Sequence, residues 1–273
     1  MRIALYQART GIDPGRNAGH LQEAVREASR LGAEMLFTPE MSGLLDRDRE
    51  RGGENLKLEA DDPVLAAVRE EAERTGLWVH LGSLALKRDD GMLANRGFVI
   101  DDQGRIRARY DKIHLFDVDL PTGESWRESS TYAPGETSVL VSTPIGLLGL
   151  SICYDLRFPD LYRSLTDAGA AALAIPAAFT VPTGQAHWHI LMRARAIEAG
   201  VFVIAAAQEG RHEDGRETYG HSLVVNPWGE VLLDMGEGTG VAAVDLDLGQ
   251  VEEVRHRIPA IRHRRPVPAP ISA

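Results

Sequence analysis

Three ionisable residues in this chain, one of them its single cysteine, could together cleave a bond at a carbonyl carbon. Cys153 follows the apolar run 149–152, and a cysteine thiolate is a strong nucleophile. An unperturbed thiol is only a few per cent ionised at neutral pH, so it would need a nearby base or cation. Glu40 and Lys112 also follow strand-like runs, and side chains just beyond strand ends gather at one rim of an α/β sheet. A buried structural cysteine and two surface charges would explain each residue taken alone, whereas the combination favours catalysis.

The segments that must position these residues alternate between strand-like and helix-like patterns along nearly the whole chain. The apolar runs that predict strands are 3–7, 34–38, 77–86, 94–100, 105–112, 138–142, 147–152, 171–176, 201–207, 222–225, 231–234 and 241–246. Helical spacing of apolar residues predicts helices over 17–31, 63–76, 158–168 and 185–199. This mixture predicts an α/β fold in which mixed sheets are covered by helices.

The length and composition favour one continuous domain. A chain of 273 residues with 44% hydrophobic residues can bury a large core. Because no repeat, low-complexity segment or flexible linker interrupts the pattern, we expect a single domain over residues 1–273. Residues 255–273 are rich in Arg, His and Pro. We expect them to form a C-terminal arm that is solvated or crosses to another subunit.

The charge balance and the cysteine count restrict the partners and the compartment. The net charge of -10 argues against a nucleic-acid partner, because phosphate neutralisation needs clustered Lys and Arg. No stretch is apolar enough to span a bilayer, and the N-terminal residues become polar too soon for a secretory signal. One cysteine cannot form an intramolecular disulfide, which fits the reducing cytoplasm. The sequence therefore predicts a cytoplasmic protein with no membrane partner.

Three motifs contain the candidate residues, and together they resemble the nitrilase superfamily of carbon–nitrogen hydrolases. They are TPEM at 38–41, YDKIHLFD at 110–117 and GLSICYDLRFP at 149–159. Their order and positions match over essentially the whole chain. The resemblance implies a four-layer α/β/β/α sandwich and a homodimer or a higher homo-oligomer, and it implies no cofactor.

Further motifs resemble one branch of this superfamily, which hydrolyses amides of small carboxylate-bearing compounds such as deaminated glutathione and omega-amides of 2-oxo acids. They are PAAFT at 176–180, TGQAHW at 183–188, RARAIE at 193–198, AAAQ at 205–208, GHS at 220–222 and NPWG at 226–229. The first motif contains Thr180, a candidate substrate-binding residue. The branch usually has glutamate after AHW, where this chain has His189. The loss of that carboxylate leaves the preferred amide open.

The resemblance also implies roles for individual residues. Cys153 attacks the carbonyl carbon and forms a thioester as ammonia or an amine leaves, and Glu40 is the general base. Lys112 favours the thiolate and stabilises the oxyanion, together with the backbone N–H of the candidate substrate-binding residue Tyr154. Glu128 matches a second glutamate that positions the substrate and Lys112.

Other polar residues receive less specific predictions. Arg193, Arg195 and Arg211 are candidate partners for a substrate carboxylate, and Glu124 is a weaker alternative to Glu128. Asp155 and Arg157 are expected to form a structural pair around the nucleophile. No metal is implied, because several histidines lack the short paired spacing of zinc ligands and are read as ordinary polar residues. These histidines are His187, His189, His212 and His221.

Two other functions remain open from the sequence. The same three residues could attack a nitrile, which would make the chain a nitrilase, although the branch motifs favour an amide. A catalytically idle interaction module is the alternative from another class, although the intact set of Glu40, Lys112 and Cys153 argues against it.

Overall fold

Two six-stranded mixed sheets form the centre of the fold in a computed structural model that describes residues 1–119, 123 and 125–272. Within these residues the strands, in chain order, are β1 (Arg2–Gln7), β2 (Met35–Phe37), β3 (Trp78–Lys87), β4 (Leu93–Ile100), β5 (Ile106–Asp111), β6 (Asp117–Asp119), β7 (Ser125–Arg127), β8 (Leu140–Thr143), β9 (Gly146–Leu150), β10 (Ala172–Ala174), β11 (Phe202–Ala205), β12 (Glu209–Arg211), β13 (Glu217–Tyr219), β14 (Leu223–Val225), β15 (Val231–Asp234) and β16 (Gly240–Asp245). The helices are α1 (Pro14–Arg30), α2 (Arg49–Asn55), α3 (Pro63–Thr75), α4 (Pro159–Asp167), α5 (Val181–Ala199) and α6 (Gly249–Arg257).

The two sheets have the same internal plan. The first has the strand order β16-β1-β2-β3-β4-β5, with β1, β2 and β3 parallel. The second has the order β15-β14-β11-β10-β9-β8, with β9, β10 and β11 parallel. The remaining neighbours in both sheets are antiparallel. Each sheet is therefore mixed, as the sequence predicts.

Successive residues of β1 pack in different core clusters, and this alternation shows how the layers are stacked. In β1, Ile3 and Leu5 belong to a core cluster that includes the strands of the second sheet. The intervening Ala4 packs in a second cluster with residues of α1 and α3. Because successive side chains on a strand point to opposite faces, one face of the first sheet packs on the second sheet and the other is covered by helices. The helices α4 and α5 pack on the second sheet. The fold is the predicted α/β/β/α sandwich.

The helix boundaries follow local capping chemistry. The side chain of Asp13 accepts hydrogen bonds from the backbone at the start of α1, and Asp62 does the same at the start of α3. Both helices have a proline in their first turn, where the missing N–H costs nothing. The helix α3 ends at Gly76, which adopts the left-handed conformation (φ 66°). These signals explain why both helices begin and end close to the predicted positions.

The C-terminal segment is helical before it becomes extended. Residues 255–257 belong to α6, and Arg255 donates to the carbonyls of Ala199 (3.0 Å) and Ala170 (2.7 Å). Residues 262–272 are exposed, and an arm that crosses to another subunit stays a prediction. Among the helices of the described residues, none combines the length and the apolarity needed to cross a membrane.

Candidate active site

Cys153 lies in a sharp turn at the end of a buried strand. It follows β9 and begins a short 3-10 turn (Cys153–Arg157) with φ at 49°, a left-handed conformation that is uncommon for a residue with a Cβ. Its backbone N–H donates to the carbonyl of Pro176 (2.9 Å), which follows the parallel neighbour β10. The residue is 8% exposed. The surrounding chain holds this strained backbone in place, which is common at functional sites.

A buried lysine is paired with two glutamates next to this cysteine. The Nζ atom of Lys112 lies 2.8 Å from Oε1 of Glu40 and 2.9 Å from Oε2 of Glu128. Glu40 follows β2 and Lys112 follows β5, so the ends of two strands of the first sheet supply them. The side chains of Lys112 and Glu40 are only 3% and 5% exposed, and that of Glu128 is 12% exposed. The structure thus brings together all four residues that the sequence predicted as catalytic.

Asn95 is a member of this group that the sequence analysis did not identify. Its Nδ2 atom donates to Oε1 of Glu40 (2.9 Å) and to Oε1 of Glu128 (3.2 Å), so it holds both carboxylates in place. The other oxygens are fixed by backbone N–H groups, from Ala178 to Oε2 of Glu40 (3.0 Å) and from Phe116 to Oε2 of Glu128 (2.6 Å). The only signal in the sequence was the uncharged polar side chain of Asn95 at the start of the largely apolar strand β4.

The electrostatics of the group favour a neutral thiol beside a charged lysine. Burial raises the pKa of Cys153 well above its usual value, and the adjacent Glu40 carboxylate raises it further, while Lys112 offsets only part of this rise. Burial alone would lower the pKa of Lys112, but Glu128 and Glu40 outweigh it and raise that pKa well above the usual value. These shifts favour the neutral thiol, so Cys153 would need a base to remove its proton if it acted as a nucleophile.

Asp155 organises the turn from within the core. Its carboxylate accepts hydrogen bonds from the Tyr110 hydroxyl (2.7 Å), the Ile152 N–H (2.9 Å) and the His114 N–H (3.0 Å). The residue is fully buried, so its predicted structural role agrees with its contacts. The expected pairing with Arg157 is wrong, because the carboxylate is bonded to these groups instead.

A cavity of about 760 Å³ opens over this group. Glu40, Lys112, Glu128 and Cys153 line it, and so do the two further candidates Tyr154 and Thr180. The candidates Arg193, Arg195 and Arg211 are not among the described residues that line the cavity. Arg193 donates to the Gly229 carbonyl, and Arg211 lies in β12. Arg195 donates to the Leu156 carbonyl and forms an ion pair with Glu198. Glu124 lies outside the described residues.

Other arginines do line the cavity. The guanidinium groups of Arg47 and Arg216 lie 5.0 and 5.3 Å from the ring centre of Trp126. Arg157 lies 5.6 Å from the ring centre of Phe179, and its guanidinium contacts Nδ1 of His187 (3.3 Å). Arg216 is paired with Asp214 (2.7 Å). Arg157 has no carboxylate within ion-pair distance in the described part of the chain.

Two of the histidines that seemed ordinary in the sequence share a carboxylate. His189 and His221 both contact Asp234, whereas the buried His212 contacts the Thr10 carbonyl and the Thr218 hydroxyl. Burial raises the pKa of Asp234, but hydrogen bonds from His189 and the Gly236 N–H outweigh it, so that this pKa is lowered. His189 is absent from the cavity lining within the described residues, so an influence on the preferred amide would act at a distance.

Comparison with known proteins defines the class of enzyme to which this site belongs. The chain belongs to the carbon–nitrogen hydrolase family, whose sequence model matches residues 2–256. It is therefore an enzyme of the class that hydrolyses carbon–nitrogen bonds, and its fold is that of the nitrilase superfamily. The family confirms the resemblance that the three motifs indicated.

Individual relatives place the chain more narrowly within the family. It is 36% identical to the deaminated glutathione amidase of Yersinia enterocolitica, over 96% of this chain and 92% of the relative. The NitFhit protein of C. elegans has a TM-score of 0.90 and 37% identity, and the match covers 97% of this chain and 65% of that one. A Glu-to-Gln mutant of the amidase from Nesterenkonia sp. AN1 has a TM-score of 0.82 and 27% identity over 97% of this chain and 94% of that one. That structure carries the acetamide moiety of fluoroacetamide bound covalently at the active-site cysteine.

Proposed function

We propose that this chain is an amidase that cleaves the C–N amide bond of a small carboxylate-bearing substrate through a thioester on Cys153. One observation carries the proposal, namely the burial of Cys153, Glu40 and Lys112 together at the base of one cavity. The relatives named as deaminated glutathione amidases and the Nesterenkonia amidase support an amide substrate. Deaminated glutathione and the omega-amides of 2-oxo acids are the substrate types proposed.

The first half of the reaction forms the thioester. Sγ of Cys153 attacks the amide carbonyl carbon while Glu40 accepts the thiol proton, and the carbonyl π electrons move onto oxygen. The ammonium of Lys112 and the backbone N–H of Tyr154 stabilise this oxyanion, and one such donor typically contributes about 2.7–4 kcal/mol. The oxyanion collapses, the C–N bond breaks, and Glu40 returns the proton to the leaving nitrogen. Ammonia or an amine departs.

The second half hydrolyses the thioester with the same residues. Glu40 accepts a proton from water as the water oxygen attacks the thioester carbon, and Lys112 again stabilises the oxyanion. The C–S bond then breaks, and the proton held by Glu40 returns to sulfur. Glu128 and Asn95 keep Lys112 and Glu40 in place through both halves. The product is the free acid, and the thiol is regenerated.

Arg157 is the proposed partner of the substrate carboxylate. It lines the cavity together with Cys153, and its neighbours His187 and Phe179 leave its positive charge without a carboxylate in the described part of the chain. A guanidinium binds a carboxylate through two parallel hydrogen bonds. The sequence-based candidates Arg193 and Arg195 are bonded to backbone carbonyls elsewhere, so Arg157 replaces them in this proposal.

We also propose that the chain forms homodimers in the cytoplasm. Large hydrophobic side chains are exposed on α5 and in the turn between β14 and β15, including Ile190 (70%), Ile197 (54%) and Trp228 (51%). Contiguous exposed apolar surface is typical of an interface. Light scattering on the purified protein should give a dimer mass, and Ile190→Glu should give a monomer. The single cysteine supports a reducing compartment.

The test is a panel of amides assayed for ammonia release. Deaminated glutathione and omega-amides of 2-oxo acids should be turned over by the wild-type protein and not by Cys153→Ala. Mass spectrometry of the wild-type protein, quenched with acid during turnover of the best substrate, should show the acyl group on Cys153, because the thioester forms before water attacks it. A well-folded wild-type protein that neither releases ammonia nor acquires an adduct across the panel would contradict the proposal.

A further inference from the structure

Two histidines and one aspartate meet where α5 passes the end of β15. Nε2 of His189 lies 2.9 Å from Oδ2 of Asp234, and Nδ1 of His221 lies 2.9 Å from Oδ1 of the same carboxylate. One donor atom from each of the three residues can be chosen so that all lie within 4.8 Å of one another. Asp234 is 45 residues from His189 and 13 residues from His221 along the chain. This separation explains why the spacing of the histidines gave no signal in the sequence.

The backbone fixes two of these three side chains. His221 has φ at 54°, its N–H donates to the Gly236 carbonyl (2.9 Å), and its carbonyl accepts from Nε1 of Trp188 (2.8 Å). Its ring is stacked on Tyr219 with the ring centres 4.4 Å apart. The N–H of Gly236 also donates to Oδ1 of Asp234 (2.9 Å). Such second contacts orient metal ligands in proteins, and they hold the two donors in place without an ion.

The third side chain approaches from the helix. His189 lies on α5, and its ring packs edge-on against Tyr219 and His221, with ring centres 6.2 and 5.2 Å apart. The side chains of His189, His221 and Asp234 are 34%, 24% and 32% exposed. The donors therefore face a space that solvent reaches, where an ion could enter and keep a water molecule.

We propose that His189, His221 and Asp234 form a binding site for a divalent transition-metal ion of the zinc type. Two imidazoles and one carboxylate are the donor types that zinc prefers, whereas calcium and magnesium prefer oxygen donors alone. In a tetrahedral zinc site with metal–ligand distances of about 2.0–2.2 Å, the donor atoms are about 3.3 Å apart. The contacts of 2.9 and 3.2 Å to the carboxylate differ from this value by a few tenths of an ångström. The donor atoms of the two imidazoles lie within 4.8 Å of each other, so binding would draw the two rings together.

The ion would connect the helix to the sheet rather than take part in amide hydrolysis. None of the three residues is among the described residues that line the cavity. A bound ion would tie α5 to β15 and to the turn before β14, and it would stabilise the folded chain by mass action. The measurable consequences are therefore metal binding and a higher melting temperature, and they do not depend on the proposed amidase activity.

The test is zinc titration of the full chain in the Cys153→Ala background, which removes the thiol as a competing ligand. After chelator treatment and dialysis at about pH 7.5, calorimetry should show one equivalent of Zn²⁺ bound with a Kd below about 10 μM. Asp234→Asn and His189→Gln should each weaken binding at least about tenfold. A zinc concentration about 100 times the Kd should raise Tm by about 5 °C or more. Cobalt should give visible absorption bands that zinc displaces.

His187→Gln is the matched control, because it removes an exposed histidine of the same helix that contacts Arg157 instead of Asp234. It should bind zinc as the parent does. Circular dichroism and the metal-free Tm of each variant show whether it is folded. The proposal is overturned if the folded parent binds no zinc in this range, or if Asp234→Asn and His189→Gln bind as the parent does. In either case the carboxylate serves only as a hydrogen-bond partner of the two imidazoles.

Discussion

Lys112 and Glu40 form a buried ion pair, with Nζ 2.8 Å from Oε1 and side chains that are 3% and 5% exposed. Desolvating two charges is costly, and a pair in this position is stabilised only by further hydrogen bonds. Asn95 and the Ala178 N–H provide such bonds to Glu40. The ends of two strands and the turn at Cys153 hold this ion pair in place, as the proposed amide hydrolysis requires.

Glu40→Gln should lower the pKa of the Cys153 thiol while it abolishes turnover. The Glu40 carboxylate raises that pKa, and Lys112 lowers it, so that removal of the negative charge leaves the lysine to favour the thiolate. Because the chain has one cysteine, the ultraviolet absorbance of the thiolate can be titrated directly. The transition should occur at lower pH in the variant than in the wild type. An unchanged transition would mean that Glu40 does not interact with the thiol.

Glu128→Gln should reduce kcat by about 100-fold, the size of effect seen when one preorganised electrostatic partner is removed from an active site. Glu128 contacts Lys112 with both carboxylate oxygens (3.1 and 2.9 Å) and raises its pKa. The reduction should appear in kcat more than in KM, and the basic limb of the kcat–pH profile should move to lower pH. The exposed Glu136, changed to Gln, is the control. Equal loss in both variants would contradict a positioning role.

The sequence predicted the strands and helices that carry strong periodic patterns, together with the three residues that follow strand ends. The helix α5 begins at Val181, four residues before the predicted start, because Pro182 is accepted in the first turn. The short helix α2 and the hairpin of β12 and β13 were not predicted, since three to seven residues with little apolar periodicity give no pattern to recognise.

Contacts between distant segments could not be predicted where no recognised motif role indicated them. Asn95 donates hydrogen bonds to Glu40 and Glu128, which lie 55 and 33 residues away along the chain. The same reason explains why Arg193 and Arg195 seemed plausible carboxylate ligands, although their helix α5 directs them to the carbonyls of Gly229 and Leu156. Local motifs specify residue types, whereas the packing of the two sheets decides which of them meet.

Arg157→Met should raise KM for carboxylate-bearing amides and leave it nearly unchanged for small neutral amides. A guanidinium–carboxylate contact is a charge-assisted bidentate bond worth about 1.5–3 kcal/mol, which corresponds to a change of about 10- to 150-fold. Steady-state kinetics on matched substrates with and without the carboxylate measure the difference. Arg163→Met, on α4, is a control, since Arg163 is not among the described residues at the cavity. A parallel loss on both substrates would assign Arg157 a structural role instead.

Matched nitrile and amide substrates should separate the amidase from a nitrilase. With Glu40 and Lys112 beside it, Cys153 could attack either the carbonyl carbon of an amide or the carbon of a nitrile. The two functions are therefore distinguished by their relative rates. We expect kcat/KM for the amide to exceed that for the nitrile of the same acid by at least about tenfold, which corresponds to about 1.4 kcal/mol in the barrier. Ammonia release from both substrates under identical conditions provides the measurement. A higher kcat/KM for the nitrile would contradict the amidase proposal and identify the chain as a nitrilase.

His80 should make the stability of the fold depend on pH below neutrality. It lies in β3, is 2% exposed and packs 5.6 Å from the ring of Phe37. Burial lowers its pKa from 6.5 to about 3, so the folded chain holds it neutral while the unfolded chain protonates it at pH 6.5. Its contribution is therefore fully present above pH 6.5 and is lost as the pH falls from 6.5 towards about 3.

The slope of the unfolding free energy against pH separates the protonation of His80 from the loss of packing that a substitution at this position also causes. Between about pH 6 and about pH 4.5, one proton taken up on unfolding costs about 1.4 kcal/mol of stability for each pH unit. Urea unfolding of His80→Leu should show a slope smaller than that of the wild type by about this amount, even though the variant is less stable throughout. His20→Gln on the exposed face of α1 should keep the wild-type slope. If His80→Leu also kept the wild-type slope, the pKa of His80 would be the same in the folded and unfolded chains. Only a difference in proton binding between these two states makes stability depend on pH.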